Sequence, residues 1–180
     1  LFNDFGVTDK TSPKIWAIQF YPLGENSHVE MQNSGKSFST TAKGNEYLIV
    51  NNPVVRAMGK IGIAIRATEY FDGSTSPCGI YSSELRINGN TIFHYKFDRM
   101  AFSQTRFINS YIDYETYIEK GTRYQKHWRD PGNDLPVYEN ESHRGIFSVD
   151  TGKVYNGEII VSDVAGNQAR LTFTLKGAYR

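Results

Sequence analysis

Residues 91–99, Thr-Ile-Phe-His-Tyr-Lys-Phe-Asp-Arg, place His94 four positions before Asp98, the spacing of a zinc-ligand pair. A catalytic zinc takes three protein ligands and leaves a fourth position for water, so this pair needs help from elsewhere in the chain. The other histidines, His28, His127 and His143, stand alone. No His-x-His or His-Glu-x-x-His occurs, and Cys78 is the single cysteine. The sequence therefore assigns neither metal ligands nor catalytic residues to this chain. The stretch reads better as a half-buried strand, with Phe93, Tyr95 and Phe97 on one face and Ile92, His94 and Lys96 on the other. Asn88-Gly89, between two apolar runs, predicts the hairpin that leads into it.

Binding chemistry concentrates further on. Phe102, Phe107, Tyr111, Tyr114, Tyr117, Tyr124 and Trp128 fall within a short stretch, interleaved towards its end with Arg123, Lys126 and Arg129. Tyr and Trp combine a stacking face with a polar tip, and an Arg can grip a carboxylate with two parallel hydrogen bonds. Tyr111, Tyr114, Arg123, Tyr124 and Trp128 are therefore the candidate glycan- or partner-binding residues. The competing reading is that these rings pin the segment to the body of the fold, since large aromatics serve burial first. Ser162 to Asn167, Ser-Asp-Val-Ala-Gly-Asn, reads as a turn in which Asp163 bonds backbone amides. A calcium site could reuse Asp163, with Asp72 from another loop, but calcium needs six or more oxygens and the sequence shows no acidic cluster to supply them. With no Gly-x-Ser-x-Gly elbow and no Cys-His signature, nucleophilic catalysis has no support.

The elements that must position these residues are strands. Trp16, Ile18 and Phe20 alternate in a first strand that Pro22 and Gly24 stop, and Ile61, Ile63 and Ile65 alternate with Lys60, Gly62, Ala64 and Arg66. Residues 81–87 and 91–97 form the Asn-Gly hairpin, and 145–149 is a shorter strand candidate. Residues 158–162 and 169–175 flank the Asp163 turn, with Leu171, Phe173 and Leu175 facing one way. Short strands with Gly-, Asn- and Asp-rich turns predict an all-β, immunoglobulin-like antiparallel β-sandwich occupying residues 1–180 as one domain. A hairpin or meander is expected at 24–58. A partly helical insertion is expected at 99–143, with Ser103 as N-cap, a helix over 111–120 and Gly121 as its stop.

The formal net charge of +1, from 20 basic and 19 acidic residues, offers no field for nucleic acid. The apolar runs are too short to span a bilayer as helices. The opening Leu-Phe-Asn-Asp-Phe-Gly has no initiator Met, no basic region and no long apolar run, and reads as a segment of a longer protein whose export signal would lie upstream.

Several segments, in order along nearly the whole chain, resemble a known family. They are the opening Leu1-Phe2 to Ile15 stretch, Phe97 to Tyr117, Arg129 to Tyr138 with its Pro-Gly-Asn, and Arg144 to Gly177 with its Asp-Val-Ala-Gly-Asn. Together they resemble the region downstream of the catalytic domain in lysostaphin-type zinc murein peptidases of Bacteroides-like bacteria. The family's catalytic domain uses a His-x-x-x-Asp pair with a neighbouring Gly and a later His-x-His. Here His94 and Asp98 match the first spacing alone, so no catalytic residue carries over. The resemblance implies a non-catalytic accessory domain of an exported peptidoglycan endopeptidase, periplasmic or associated with the cell envelope. It also implies zinc in the upstream catalytic domain, no cofactor in this chain, and that upstream domain and peptidoglycan as partners. The alternative is a stand-alone carbohydrate-binding or adhesin-like sandwich module, since one fold hosts many functions.

Overall fold

The computed structural model describes residues 9–51 and 53–179, so the Leu1-Phe2 segment of the resemblance lies outside the described residues. Twelve strands form among them. In chain order they are β1 Lys14–Pro22, β2 His28–Val29, β3 Lys36–Lys43, β4 Glu46–Ile49, β5 Val54–Thr68 and β6 Ser82–Ile87. Then follow β7 Asn90–Lys96, β8 Gln125–Lys126, β9 Tyr138–Glu141, β10 Phe147–Val149, β11 Val154–Ser162 and β12 Gln168–Gly177.

The pairing closes on itself. Residues 61–68 of β5 pair antiparallel with β1, β1 with β3, and β3 with β4. Strand β12 pairs in parallel with β4 and then, further along, with Val54–Ala57 of β5. From β12 a wing of antiparallel strands continues through β11, β6, β7 and β9. The short strands β2, β8 and β10 add to β5. The all-β class is as the alternation predicts, but two of the pairings are parallel, which an all-antiparallel scheme does not contain. Period-2 patterning reports which face of a strand is buried and is silent about its neighbour.

Strand β5 makes the closure possible because its 15 residues are long enough to serve both halves of the ring. Between the halves sits Gly59 at φ +80°, where an added Cβ would come within 3.1 Å of the Ser27 backbone. Positive φ and close approach together require glycine here. Ile61, Ile63 and Ile65 point into the main core with Ile18, Phe20, Leu85, Phe93, Tyr95, Leu171, Phe173 and Leu175. On the opposite face Ala64, together with Ala17 of β1, packs against Tyr124 and Trp128. The small residues on that face are what let a second layer sit down on the sheet.

Trp16 departs from the predicted alternation. A bulge between Ile15 and Ala17 sends Ile15 into the main core and Ala17 into the opposite layer and leaves Trp16 42% exposed, its indole N–H donating to Thr68 Oγ1 at 2.8 Å. The hairpin over Asn88-Gly89 forms with φ of 51° and 81° at the two turn residues, the left-handed pair that its turn type demands.

The segment between β7 and β9 is partly helical, as expected, with different boundaries. Residues Phe102–Tyr111 wind as 3-10 turns begun at Ala101, whose N–H donates to Gln104 Oε1 at 2.9 Å, so Ser103 lies inside the element and does not cap it. The α-helix α1 runs Tyr114–Lys120. Asp113 caps it by accepting from the Thr116 N–H at 3.1 Å, and Gly121 ends it at φ 66°. Beyond the helix β8 joins β5, and the Gln125 side chain bonds both the N–H and the C=O of Ala67, at 3.1 and 3.0 Å.

Candidate functional site

Strand β8 and the start of α1 bound a cleft of about 420 Å³ lined by Tyr21, Asp113, Tyr114, Glu115, Lys126, Trp128 and Asp130. Trp128 forms a wall of it and is itself only 7% exposed, its ring centroid 5.0 Å from that of Tyr21. Its indole N–H donates to Asp130 Oδ1 at 3.0 Å, while the Lys126 ammonium pairs with Asp130 and lies 5.4 Å from the Trp128 ring centroid. On the facing side the Tyr21 hydroxyl donates to Asp113 Oδ2 at 2.6 Å. Burial, reinforced by that carboxylate, holds the Tyr21 hydroxyl protonated far above the usual phenol range. Burial works against the charge of Asp113, yet hydrogen bonds from Thr116 and Tyr21 outweigh it and keep the carboxyl below its ordinary range. The cleft thus carries fixed charges of both signs beside an exposed ring, Tyr114.

A second cleft, of about 610 Å³, is lined by residues including Arg66, Tyr111, Tyr117, Arg123 and Gln125. The Arg123 guanidinium stacks 4.8 Å from the Tyr117 ring centroid and donates to its hydroxyl at 3.2 Å. Tyr111 packs edge-on against Phe97 and Tyr95, with centroids 4.9 and 5.3 Å away. The five residues singled out from the sequence therefore do not share one surface. Tyr114 and Trp128 belong to the first cleft and Tyr111 and Arg123 to the second. Tyr124 is buried, its hydroxyl hydrogen-bonded to Ser37 Oγ at 2.6 Å. Only Tyr114 and Arg123 of the five are exposed.

His94 and Asp98 do not meet. His94 bridges Glu139, at 3.1 Å from Nδ1, and Ser82, at 3.1 Å from Nε2, whereas Asp98 accepts from the Tyr81 hydroxyl at 3.1 Å. His127 lies within 2.7 Å of Ser83 Oγ, but the ring is fully buried among Phe93 and Tyr95. A substrate has no path to this Ser-His pair.

The fold also gathers what the sequence keeps far apart. Asp9, Glu69 and Asp163 bring carboxylate oxygens within 4.8 Å of one another. The signal for Glu69 is the strand pattern itself: the inward face of Ile61, Ile63, Ile65 and Ala67, extended by one more step of two, lands on it. Asp72 lies beside this group, its carboxyl in hydrogen-bond contact with that of Asp9, and it accepts the Lys10 N–H at 3.1 Å and the Thr11 hydroxyl.

No protein-family model, curated protein or solved structure matches this chain. No helix among the described residues is long and apolar enough to cross a membrane.

Proposed function

We propose that this chain is a non-catalytic accessory module of immunoglobulin-like sandwich type that positions an upstream zinc murein endopeptidase domain at the cell wall. Its setting is the periplasm or cell envelope, its partners are that domain and peptidoglycan, and the zinc belongs to the upstream domain. The observation that carries the reading lies in residues 99–143, where much of the resemblance falls. Tyr124 and Trp128 anchor this segment to the ring, and Tyr114 and Arg123 face outward beside two clefts. Sugar rings offer faces for Tyr114, and the stem-peptide carboxylates of murein suit the Arg123 fork. The same exposed ring also favours the second reading, a module that binds glycan by itself.

The test compares the isolated chain with the full-length protein on purified murein in the presence of zinc. Hydrolysis is expected with the full-length protein alone, and cleavage by the isolated chain overturns the assignment. The double variant Tyr114→Ala, Arg123→Ala changes only exposed side chains, so its melting temperature should stay within about 2 °C of the parent's. Its co-sedimentation with murein should fall severalfold. Undiminished sedimentation would remove the clefts as the contact surface, and equal binding with and without the upstream domain would favour the stand-alone reading.

A further inference from the structure

Three carboxylates converge from three separate parts of the chain. Asp9 precedes β1, Glu69 follows directly on β5, and Asp163 follows directly on β11. Glu69 is 3% exposed and Asp163 1%. A buried carboxylate is ordinarily hydrogen-bonded or paired with a cation. Asp163 meets that rule, because Asn167 donates its backbone N–H to Oδ1 at 2.8 Å and its side-chain amide to Oδ2 at 2.6 Å. The same amide holds the Asp9 carbonyl at 3.0 Å, and Asp9 Oδ1 takes the Thr11 N–H at 3.1 Å.

Glu69 does not, and Asp9 does so through Oδ1 alone. Asp9 Oδ2 is buried with no hydrogen-bond partner. Glu69, a residue 3% exposed, brings a carboxylate oxygen within 4.8 Å of the other two, and its side chain has no hydrogen bond and no salt bridge to another described residue. Its backbone is occupied separately, pairing with Cys78. Burial, and then the negative charges of Asp163 and Asp9, push the Glu69 carboxyl up to about 7, so the group lies in an uncompensated negative field.

We propose that Asp9, Glu69 and Asp163 form a binding site for a hard divalent cation, with calcium as its occupant. The donor set is all oxygen, with neither His nor Cys in it, which disfavours zinc. Calcium accepts six to eight oxygens in adaptable geometry, and carboxylates that bind through one or both oxygens supply a large share of them. Magnesium demands a near-ideal octahedron and gives up its water reluctantly, so it fits such a buried cluster poorly. The ion would tie the segment leading into β1 to the end of β5 and to the β11–β12 turn, three points held until then by Asn167 and Asp72.

The experiment is a thermal melt of the chain, stripped with EDTA and titrated with calcium chloride, with magnesium chloride at matched ionic strength as the control. Calcium at a hundredfold excess over its dissociation constant should raise Tm by about 5–10 °C. Magnesium should do much less. Glu69→Gln keeps the shape and removes the charge, so its Tm without calcium should equal or exceed the parent's while the calcium increment disappears. Asp9→Asn, at the less buried corner, should weaken the increment and serves if Glu69→Gln fails to fold. Identical melts of the parent in EDTA and in calcium would overturn the site, leaving a cluster that shares a proton. An equal response to calcium and magnesium, or an increment that survives in the variants, would reduce the effect to screening and overturn it as well.

Discussion

His127 offers a sharp test of how the sheet is sealed by β8. Its ring is fully buried, its Nε2 lies 2.7 Å from Ser83 Oγ, and its backbone N–H donates to Ile63 O at 2.8 Å. Burial drives its pKa from an ordinary 6.5 down to about 3. A base with a depressed folded pKa is protonated first in the unfolded chain, so its contribution is fully present above pH 6.5 and is lost as the pH falls towards 3. At pH 4 the unfolded imidazole has gained a proton that the folded one still refuses, a loss of about 3 kcal/mol relative to pH 7. Glu69 works in the opposite sense: its raised pKa costs stability as the pH climbs from 4.5 to 7 when no cation is bound. Comparison with His127→Gln removes that contribution, because Glu69 is common to both proteins and the two sites act independently to first order. The glutamine can still bond Ser83 and carries no titrating proton. Urea unfolding at pH 7 and pH 4 should show the stability gap between parent and variant shifting by about 3 kcal/mol in the variant's favour. Parallel losses in the two proteins would show that His127 is hydrated or exposed in solution, and the picture of β8 as a seal would fail.

Two further substitutions probe the same packing from either side. Trp128→Ala empties the layer formed by Ala17, Ala64 and Tyr124, and should cost about 3–5 kcal/mol in urea unfolding. A cost under about 1 kcal/mol would mean that the ring stands free as a binding platform. Gly157→Ala would bring a Cβ to 2.0 Å from Phe173 Cζ in the main core, so the variant should lose at least about 3 kcal/mol, and a melt unchanged from the parent's would contradict the placement of Phe173.

Local chemistry was the legible part of this fold. Asn88-Gly89 announces its hairpin because few residues accept positive φ, and the Ile61 to Ile65 alternation fixes an inward face for the same steric reasons in any context. Gly121 stops its helix as expected. Trp16 was not legible, since a bulge obeys the neighbouring strand's register and leaves no mark in its own residues. The parallel partnership of β12 with β4 and β5 was hidden too, because edge hydrogen bonds belong to the backbone, which is the same at every position. The candidate aromatics were found as a group, yet their division into anchors and exposed rings depends on Ala17 and Ala64, small residues on other strands. The acidic group stayed out of view because its members lie on three distant stretches of the chain and only the closed ring brings them together.

The closing of that ring also sets an order on synthesis. Val54 and Val55 of β5 find their parallel partners in Thr174 and Leu175, so the strand at the centre of the fold waits for residues made long after it. Until they emerge, Ile61, Ile63 and Ile65 belong to a strand whose first half has no β12 to pair with, a ready template for mispairing with other nascent chains. Parallel pairing over such a sequence separation forms slowly because loop closure comes before any reward. A chain truncated a few residues short of Gly177 is therefore expected to aggregate rather than fold with a frayed end, and a cell making the protein gains from any chaperone that shields β5 during that interval.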